Sequence, residues 1–550
     1  MFNLYSLCFG NTNCEHNIQI WVERQTLYSH INKLCFIPII PQNANNIIMR
    51  KKITIIGAGI AGLTAGCYAR MNGFEAEIFE SHSASGGLCT AWKRGNFTID
   101  GACDWLSGSG PGNILYRFWK EVDAFDDNQI VNHEAFSRFI GKDKRQLIIY
   151  ADVDRLEKHM LELSPEDEKQ IRLLCKLIRK YPALPLPFEK AFELYNFFDA
   201  VKLTVRMLPV LKTFNYLNGT TIEEFADTFK DSLIRDSLKI LLATPEYSLF
   251  GLISSLGLFC GKSGGYIIGG ARELSKRIEK NFRDSGGIIH FNSKVDKILV
   301  EDNKATGLKL MDGTEHRCDY VISAADMHTT LYSMLDGNYL DPVHVNLFKE
   351  EKLAPSCVQV SLGVNIDLTK EPNCMVSIYP TSETLSIGNT TIENISFRNF
   401  AIDPTMAPKG KTVITVRYSM NEYAYWENLY ANKNDYKAKK EEILQFTVNQ
   451  MEMIYPGITE KIEVSDVSTP MTYHRYANTW QGTYLTWIST PKNSKKLQKI
   501  KKTVPGLDNF WMSGMWVMPP GGLPVGIKTS RDVIQIICKK NAQKFVSNIN

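Results

Sequence analysis

The sequence predicts a mixed α/β (α+β) protein, on three observations. GAGIAG at residues 57–62 sits between a short apolar strand (53–56) and an apolar helix, and a second strand follows that ends in Glu80. Strand-and-helix character returns at 261–326 and again at 505–537, far from that first unit. Between them, 351–470 contains alternating segments such as CVQVSLGVNI and TVITVRYS, which suit an antiparallel sheet forming the floor of a substrate domain.

The first unit reads as a dinucleotide site. Gly57 permits a tight turn, Gly59 lets backbone approach a diphosphate, and Gly62 removes a side chain where helix meets strand. Ile60 and Ala61 then open the helix whose unpaired N–H groups and dipole face the phosphates. Ala61, Ala65 and Ala69 keep that helix slim. Glu80 lies 23 residues after Gly57, close to the roughly 20 expected for the acid that accepts the ribose hydroxyls. Glu75 and Glu77 fall too early in the strand, and an acid at this place disfavours a 2′-phosphate.

FAD and NAD share this unit, and the downstream sequence separates them. SGGLCTAWKRGNFTIDGACDWLSG (85–108) holds a second glycine loop at Gly86, Gly87 and Leu88, a short strand at 97–99 and Gly101, as suits a long cofactor threading deep into the protein. The chain returns to that cofactor at PGLDNFWMSGMWVMPPGGLPVGIKTSRDVIQII (505–537), a short strand, a proline- and glycine-rich turn and a helix aimed at the flavin end. FAD is therefore the expected cofactor.

A chain of 550 residues exceeds one core and implies about two domains, or three. The segments divide as an N-terminal appendage (1–48), a first FAD segment (49–150), a helical substrate or lid segment (151–260), a second FAD segment (261–350), a substrate-domain sheet (351–470) and a closing FAD segment (471–550). Met49 directly precedes the first strand and would make a natural start. A formal charge of +4 is near neutral for this size, and nothing resembles a nucleic-acid-binding module. The twelve cysteines have neither CxxC pairs nor metal-ligand spacing, which points to reduced structural thiols, a cytoplasmic setting and no metal.

The most apolar stretch, YSLFGLISSLGLFC (247–260), has 14 residues, short of the roughly 18 needed to span a bilayer, and reads as a buried helix lining a pocket. AFELYNFFDAVKLTVRMLPVLKTFNYL (191–217) mixes aromatic and aliphatic residues with Lys202, Arg206 and Lys212, and Pro209 predicts a kink. It is either an interfacial helix on a membrane or the lid of a large apolar site. PKNSKKLQKIKK (491–502), with six lysines, is either a contact for anionic lipid or a solvated face.

Together these segments resemble the phytoene desaturase, carotenoid isomerase and retinol saturase superfamily of FAD-dependent oxidoreductases, over roughly residues 50–540. The anchors are GAGIAG with Glu80, SGGLCTAWKRGNFTIDG, GGYIIGGARELSKRI, GLKLMDG with YVISAAD, TYHRYANTWQGTY and PPGGLPVGIKTSR. The resemblance implies a Rossmann-like FAD-binding domain assembled from three separated segments, plus a mixed-sheet substrate domain with a helical lid. It carries Gly57, Gly59, Gly62 and Glu80 over as diphosphate and ribose contacts, and Gly86 and Gly87 as the second loop. Val295 becomes the backbone contact to adenine, and Gly514 with Gly522, Leu523 and Pro524 the flavin loop. Two positions depart from the pattern: Met515 replaces an acid after Gly514, and Asp104 replaces a histidine before Trp105.

The resemblance implies flavin chemistry on carbon–carbon bonds of a long apolar isoprenoid such as a carotenoid or retinoid. Desaturation and saturation are both open, as is the electron donor or acceptor. The alternatives are redox-neutral cis–trans isomerisation of a polyene, an amine oxidase-like reaction, and a lipid-binding protein with a vestigial flavin site. Asp104, Tyr473 and His474 are the candidate proton carriers; Asp104 could equally tune the ring or serve as a structural acceptor, and His474 could be a satisfied structural histidine. Contact with a peripheral membrane surface is a further expectation.

Overall fold

The computed structural model describes residues 50–547, so the N-terminal appendage expected at 1–48 lies outside the described residues. The strand Lys52–Ile56 lies at the centre of a five-stranded parallel sheet. It pairs with Glu75–Phe79 on one side and Tyr320–Ser323 on the other, and Ile288–His290 and Phe510–Met512 form the edges. Sequences such as KITII, YVIS and FWM are nearly continuous apolar runs because helices cover a parallel sheet on both faces. Helix Ile60–Met71 packs against helices Gly270–Asp284 and Leu523–Lys540. Its slimness is used directly: a Cβ at Gly66 would stand 2.7 Å from the Phe282 ring. The sheet thus takes strands from three separate stretches of chain, as expected.

A three-stranded antiparallel sheet interrupts the second stretch, starting with the hairpin Val295–Glu301 and Lys304–Leu310. Asp302 and Asn303 close it with φ of 47° and 59°, the left-handed pair that a two-residue turn demands and that short polar side chains tolerate.

The third sheet has seven strands in the order Ile462–Ser468, Ser356–Val364, Thr412–Met420, Thr390–Asn399, Cys374–Ile387, Ala135–Ile140, Gln146–Tyr150. It is antiparallel except where Cys374–Ile387 runs parallel to Ala135–Ile140. This corrects one boundary: residues 135–150, assigned from sequence to the first FAD segment, form an edge hairpin of the substrate sheet. Alternation sends Val358, Val360, Ile414, Val416, Tyr418 and Phe397 into a core with Ile443, Phe446 and Met451 of helix Lys433–Ile454. The intervening Gln359, Thr415, Arg417 and Arg398 therefore occupy the opposite face.

Helices Val153–Leu163, Glu168–Lys180 and Leu249–Cys260 close over the edge hairpin at 135–150, with Phe136, Ile149, Leu174 and Leu252 in one core. Pro209 sits in a short turn, Leu208–Val210, between helices Phe197–Met207 and Leu211–Gly219, where the kink was expected. Among the described residues no helix is long and apolar enough to cross a membrane.

Candidate active site

The glycine turn and the second glycine loop interlock. Gly86 donates its N–H to Ala58 O at 2.8 Å and forms a bridge with Gly59. A Cβ at Gly62 would lie 1.8 Å from Gly57 O, and one at Gly86 2.4 Å from Cys89 O at a φ of 118°, so neither position accepts a side chain. Helix Ile60–Met71 begins at Gly59 with no side-chain cap and no acid in its first turn, leaving its N–H groups to the cavity.

Glu80 is buried on the cavity wall at the end of its strand, where Oε2 accepts the Ala58 N–H at 2.7 Å and Oε1 the His82 N–H at 2.8 Å. Glu77 is occupied elsewhere, by Lys52 at 2.8 Å and His290 at 3.3 Å. Val295 lines the same cavity as Gly59, Ile60, Ala61, Gly87 and Leu88.

The far end of the chain reaches the same place. Gly514 donates its N–H to Thr529 Oγ1 at 2.8 Å, and the Ser513 and Ser530 hydroxyls are 2.7 Å apart. Ser530 Oγ in turn donates to Ala61 O at 2.6 Å, joining helix Leu523–Lys540 to the GAGIAG helix. That second helix also starts without a side-chain cap or an acid, at Gly522, with Leu523 and Pro524 on the cavity wall. Two helix N-termini and two interlocked glycine loops thus meet a single carboxylate, Glu80, and this donor set fits FAD. Met515 lines the cavity where the resemblance calls for an acid, and its thioether is at most a weak acceptor.

The cavity has a volume of about 1580 Å³, beyond the roughly 300–1,000 Å³ of a pocket for one small ligand. It accommodates a substrate beside the cofactor. Its apolar wall comes from Ile240, Leu241, Leu242, Tyr247 and Leu258, so the stretch 247–260 forms the pocket-lining helix expected of it.

Another part of the wall is the polar face of the substrate sheet. Arg417 Nη1 donates to Asp104 Oδ2 at 2.5 Å and its Nε to Gln359 Oε1 at 2.8 Å. Arg398 Nε stands 2.7 Å from the same Asp104 oxygen as an ion pair, without hydrogen-bond alignment. Of the roles open to Asp104, the geometry fills that of structural acceptor, as counter-ion of an arginine pair. Tyr473 is on the cavity wall with its hydroxyl 3.4 Å from Cys357 Sγ, and burial pushes the phenol well above its ordinary range.

His474 is not on that wall. Its Nδ1 is 3.0 Å from Thr479 O and its ring stands edge-on to Tyr423. Consecutive residues of helix Pro470–Ala477 point about 100° apart, so the helix that aims Tyr473 inward turns His474 away. The satisfied structural reading is the one realised, and the proton-carrier expectation for His474 is corrected.

Sequence reasoning missed Arg398, Arg417, Tyr484 and Asp326, all lining the cavity. Arg417 had a signal, as a charged residue in phase with Thr415 and Ser419 in an alternating strand; Arg398 and Tyr484 had none. Asp326 ends the YVISAAD stretch, accepts N–H groups from Thr329 and Trp480 at 3.0 Å, and is pushed up to about 6 by burial. Asp100 is likewise pushed up to about 6 by burial, although it accepts from Ala102, Cys103 and Ala271.

Comparison with known proteins agrees with this geometry. Prolycopene isomerase of Daucus carota is 22% identical over 440 residues, covering 78% of this chain and 71% of that one. The neurosporene-forming phytoene desaturase of Rhodobacter capsulatus is 26% identical over 459 residues, covering 77% and 82%. Among solved structures, cyclohexylamine oxidase from Brevibacterium oxydans superposes with a TM-score of 0.57 at 14% identity, covering 90% of this chain and 100% of that one. The model of the flavin containing amine oxidoreductase family matches residues 60–534. The chain therefore belongs to that family and is an FAD-dependent oxidoreductase.

Proposed function

We propose that the protein oxidises or reduces a carbon–carbon bond of a long apolar substrate of the isoprenoid type, held against FAD in the large cavity. The observation that carries this reading is the size and lining of that cavity: an apolar wall of Ile240, Leu241, Leu242 and Leu258 shares it with the glycine- and proline-rich loop at Gly514 and Pro524. When bound, FAD supplies the two-electron chemistry. The chain's own residues hold the substrate, keep water out, and offer the Tyr473 hydroxyl on the cavity wall as a polar hydrogen. The carotenoid isomerase and desaturase relatives support this substrate class, and isomerisation without net redox is a variant of it.

Amine oxidation is the second reading, favoured by the family description and by the amine oxidases among the solved structures. Against it stands the wall itself: Arg398 and Arg417 outnumber Asp104 and would repel an ammonium substrate.

An anaerobic assay of the FAD-loaded protein with isoprenoid polyenes and with mono- and diamines separates these readings. A product two hydrogens heavier or lighter supports redox at carbon, an unchanged mass with altered geometry supports isomerisation, and turnover of amines alone overturns the proposal.

The protein also rests on a lipid surface in this reading. Phe197, Val201, Val205 and Leu208 repeat at helical spacing along one face and are 77, 45, 60 and 61% exposed, with exposed Lys202, Arg206 and Lys212 alongside. The lysine cluster at 491–502 contributes less, because Lys496 pairs with Glu350 and Glu351, and buried Lys502 with Glu193 and Asp532.

A further inference from the structure

The substrate cavity is amphipathic, and its polar wall carries a surplus positive charge. Three charged side chains meet there: the Asp104 carboxylate and the Arg398 and Arg417 guanidiniums. Both arginines reach the same oxygen, Oδ2, so one anion serves two cations. Their side chains are only 17 and 16% exposed, yet both lie on the cavity wall. Arg398 Nη1 and Arg417 Nη2 find no hydrogen-bond partner among the described residues. A buried guanidinium donor left unpaired is costly, so two beside one another mark a place built for an acceptor that is not part of the chain.

The surroundings say which acceptor. Guanidinium donors on a shared wall match the oxygens of a carboxylate. Tyr473 and Tyr484 flank the pair with phenols, and burial raises Tyr484 to about 12, so each offers a hydroxyl and no charge. Of the remaining acids on the cavity wall, Glu80 is engaged with Ala58, Asp326 with Thr329 and Trp480, and Asp466 with Arg94, while Glu393 is exposed to solvent. The apolar wall at 240–258 would take the hydrocarbon.

We propose that Arg398 and Arg417 bind the carboxylate of a long-chain amphipathic acid whose hydrocarbon lies along the apolar wall. This rests on the reading of the cavity as the substrate site of a carbon–carbon oxidoreductase and names the class of substrate. Arg398 is the more dispensable of the two for the fold, since Asp104 and Arg417 alone form a balanced pair that Gln359 also holds.

The test titrates the FAD-loaded full chain with oleate and with oleyl alcohol, following the visible flavin band so that only binding in the cavity is read. Oleate should bind at least 10-fold more tightly than the alcohol. R398Q should abolish that preference with its flavin spectrum intact, whereas R398K should keep part of it. Equal or tighter binding of the alcohol by the unaltered protein overturns the proposal whether or not R398Q folds. So does a flavin band that oleate leaves unchanged, or a preference that survives in folded R398Q. Loss of the flavin band itself would instead strike at the oxidoreductase reading, which keeps the two failures apart.

Discussion

The backbone N–H of Ala58 donates to Oε2 of Glu80 at 2.7 Å, so the acid that ends the second strand braces the glycine turn that follows the first. Glu80 therefore holds the turn, and accepting the ribose of bound FAD would be its second task. E80Q keeps an oxygen for Ala58 but loses the charge and one acceptor; E80A loses both tasks. A hydrogen bond to a charged group contributes about 1.5–3 kcal/mol. FAD affinity should fall roughly 10- to 100-fold in E80Q and further in E80A. Equilibrium dialysis of the apoprotein against FAD measures it, and unchanged affinity in E80A would remove Glu80 from the cofactor site.

The second glycine loop makes a harsher prediction. A Cβ at Gly86 meets Cys89 O at 2.4 Å, a backbone atom that cannot rotate aside, and φ of 118° is closed to alanine. G86A should yield protein without flavin and with a melting temperature several degrees lower. G73A serves as the control, since a Cβ there meets nothing within 4 Å, though its φ of 80° still costs some strain. Flavin absorbance per mole of purified protein decides the matter.

What could be read from the sequence follows from how local each signal was. GAGIAG, Glu80 and Gly86 are legible because their spacing along the chain is itself the geometry. The Arg398–Arg417–Asp104 cluster was not: Asp104 and Arg417 stand 313 residues apart, joined only by which strands of the large sheet become neighbours. The edge hairpin at 135–150 was misassigned for the same reason, because its partner strand lies at Cys374–Ile387. His474 failed on phase alone, being one helical step from a residue that does face the cavity.

Asp100 gives a pH dependence of known sign. Burial lifts it to about 6, above the roughly 3.9 of an unfolded aspartate, so the folded protein keeps a proton that the unfolded chain releases between those values. Its contribution to stability is greatest below about pH 4, falls as pH rises toward 6 and is flat above; from pH 5 to 7 the loss is about 1 kcal/mol. D100N cannot titrate, but its amide would turn a donor toward either Ala271 or the Ala102 and Cys103 N–H groups, costing about 1–3 kcal/mol. Urea unfolding should find D100N less stable than the parent at pH 5, with the gap narrowing by pH 7. A gap independent of pH would show that Asp100 is ionised throughout.

Asp104 tests the buried cluster from its anionic side. D104N leaves Arg398 and Arg417 facing each other with no counter-ion, and breaking such a pair from one side costs about 3–5 kcal/mol. Adding R398Q removes half of the stranded charge, so the double variant should be more stable than D104N alone. That reversal is the signature of coupling, since independent sites would only add their losses. Unfolding free energies of the two single variants and the double variant measure it.

The exposed stripe on helix Phe197–Met207 predicts binding to anionic vesicles. Burying an exposed phenylalanine contributes roughly 1.5–3 kcal/mol, and a lysine near an anionic surface about 1 kcal/mol. Phe197 and Phe198 are 77 and 79% exposed, so F197S with F198S should weaken sedimentation with vesicles of mixed neutral and anionic lipid at least 100-fold without changing stability. Replacing Lys202, Arg206 and Lys212 by glutamine should weaken it less, and should remove most of its sensitivity to salt, because screening acts on the charges and not on the apolar face. If the parent protein sediments equally well with purely neutral vesicles at high salt, the basic residues play no part and the apolar face alone carries the attachment.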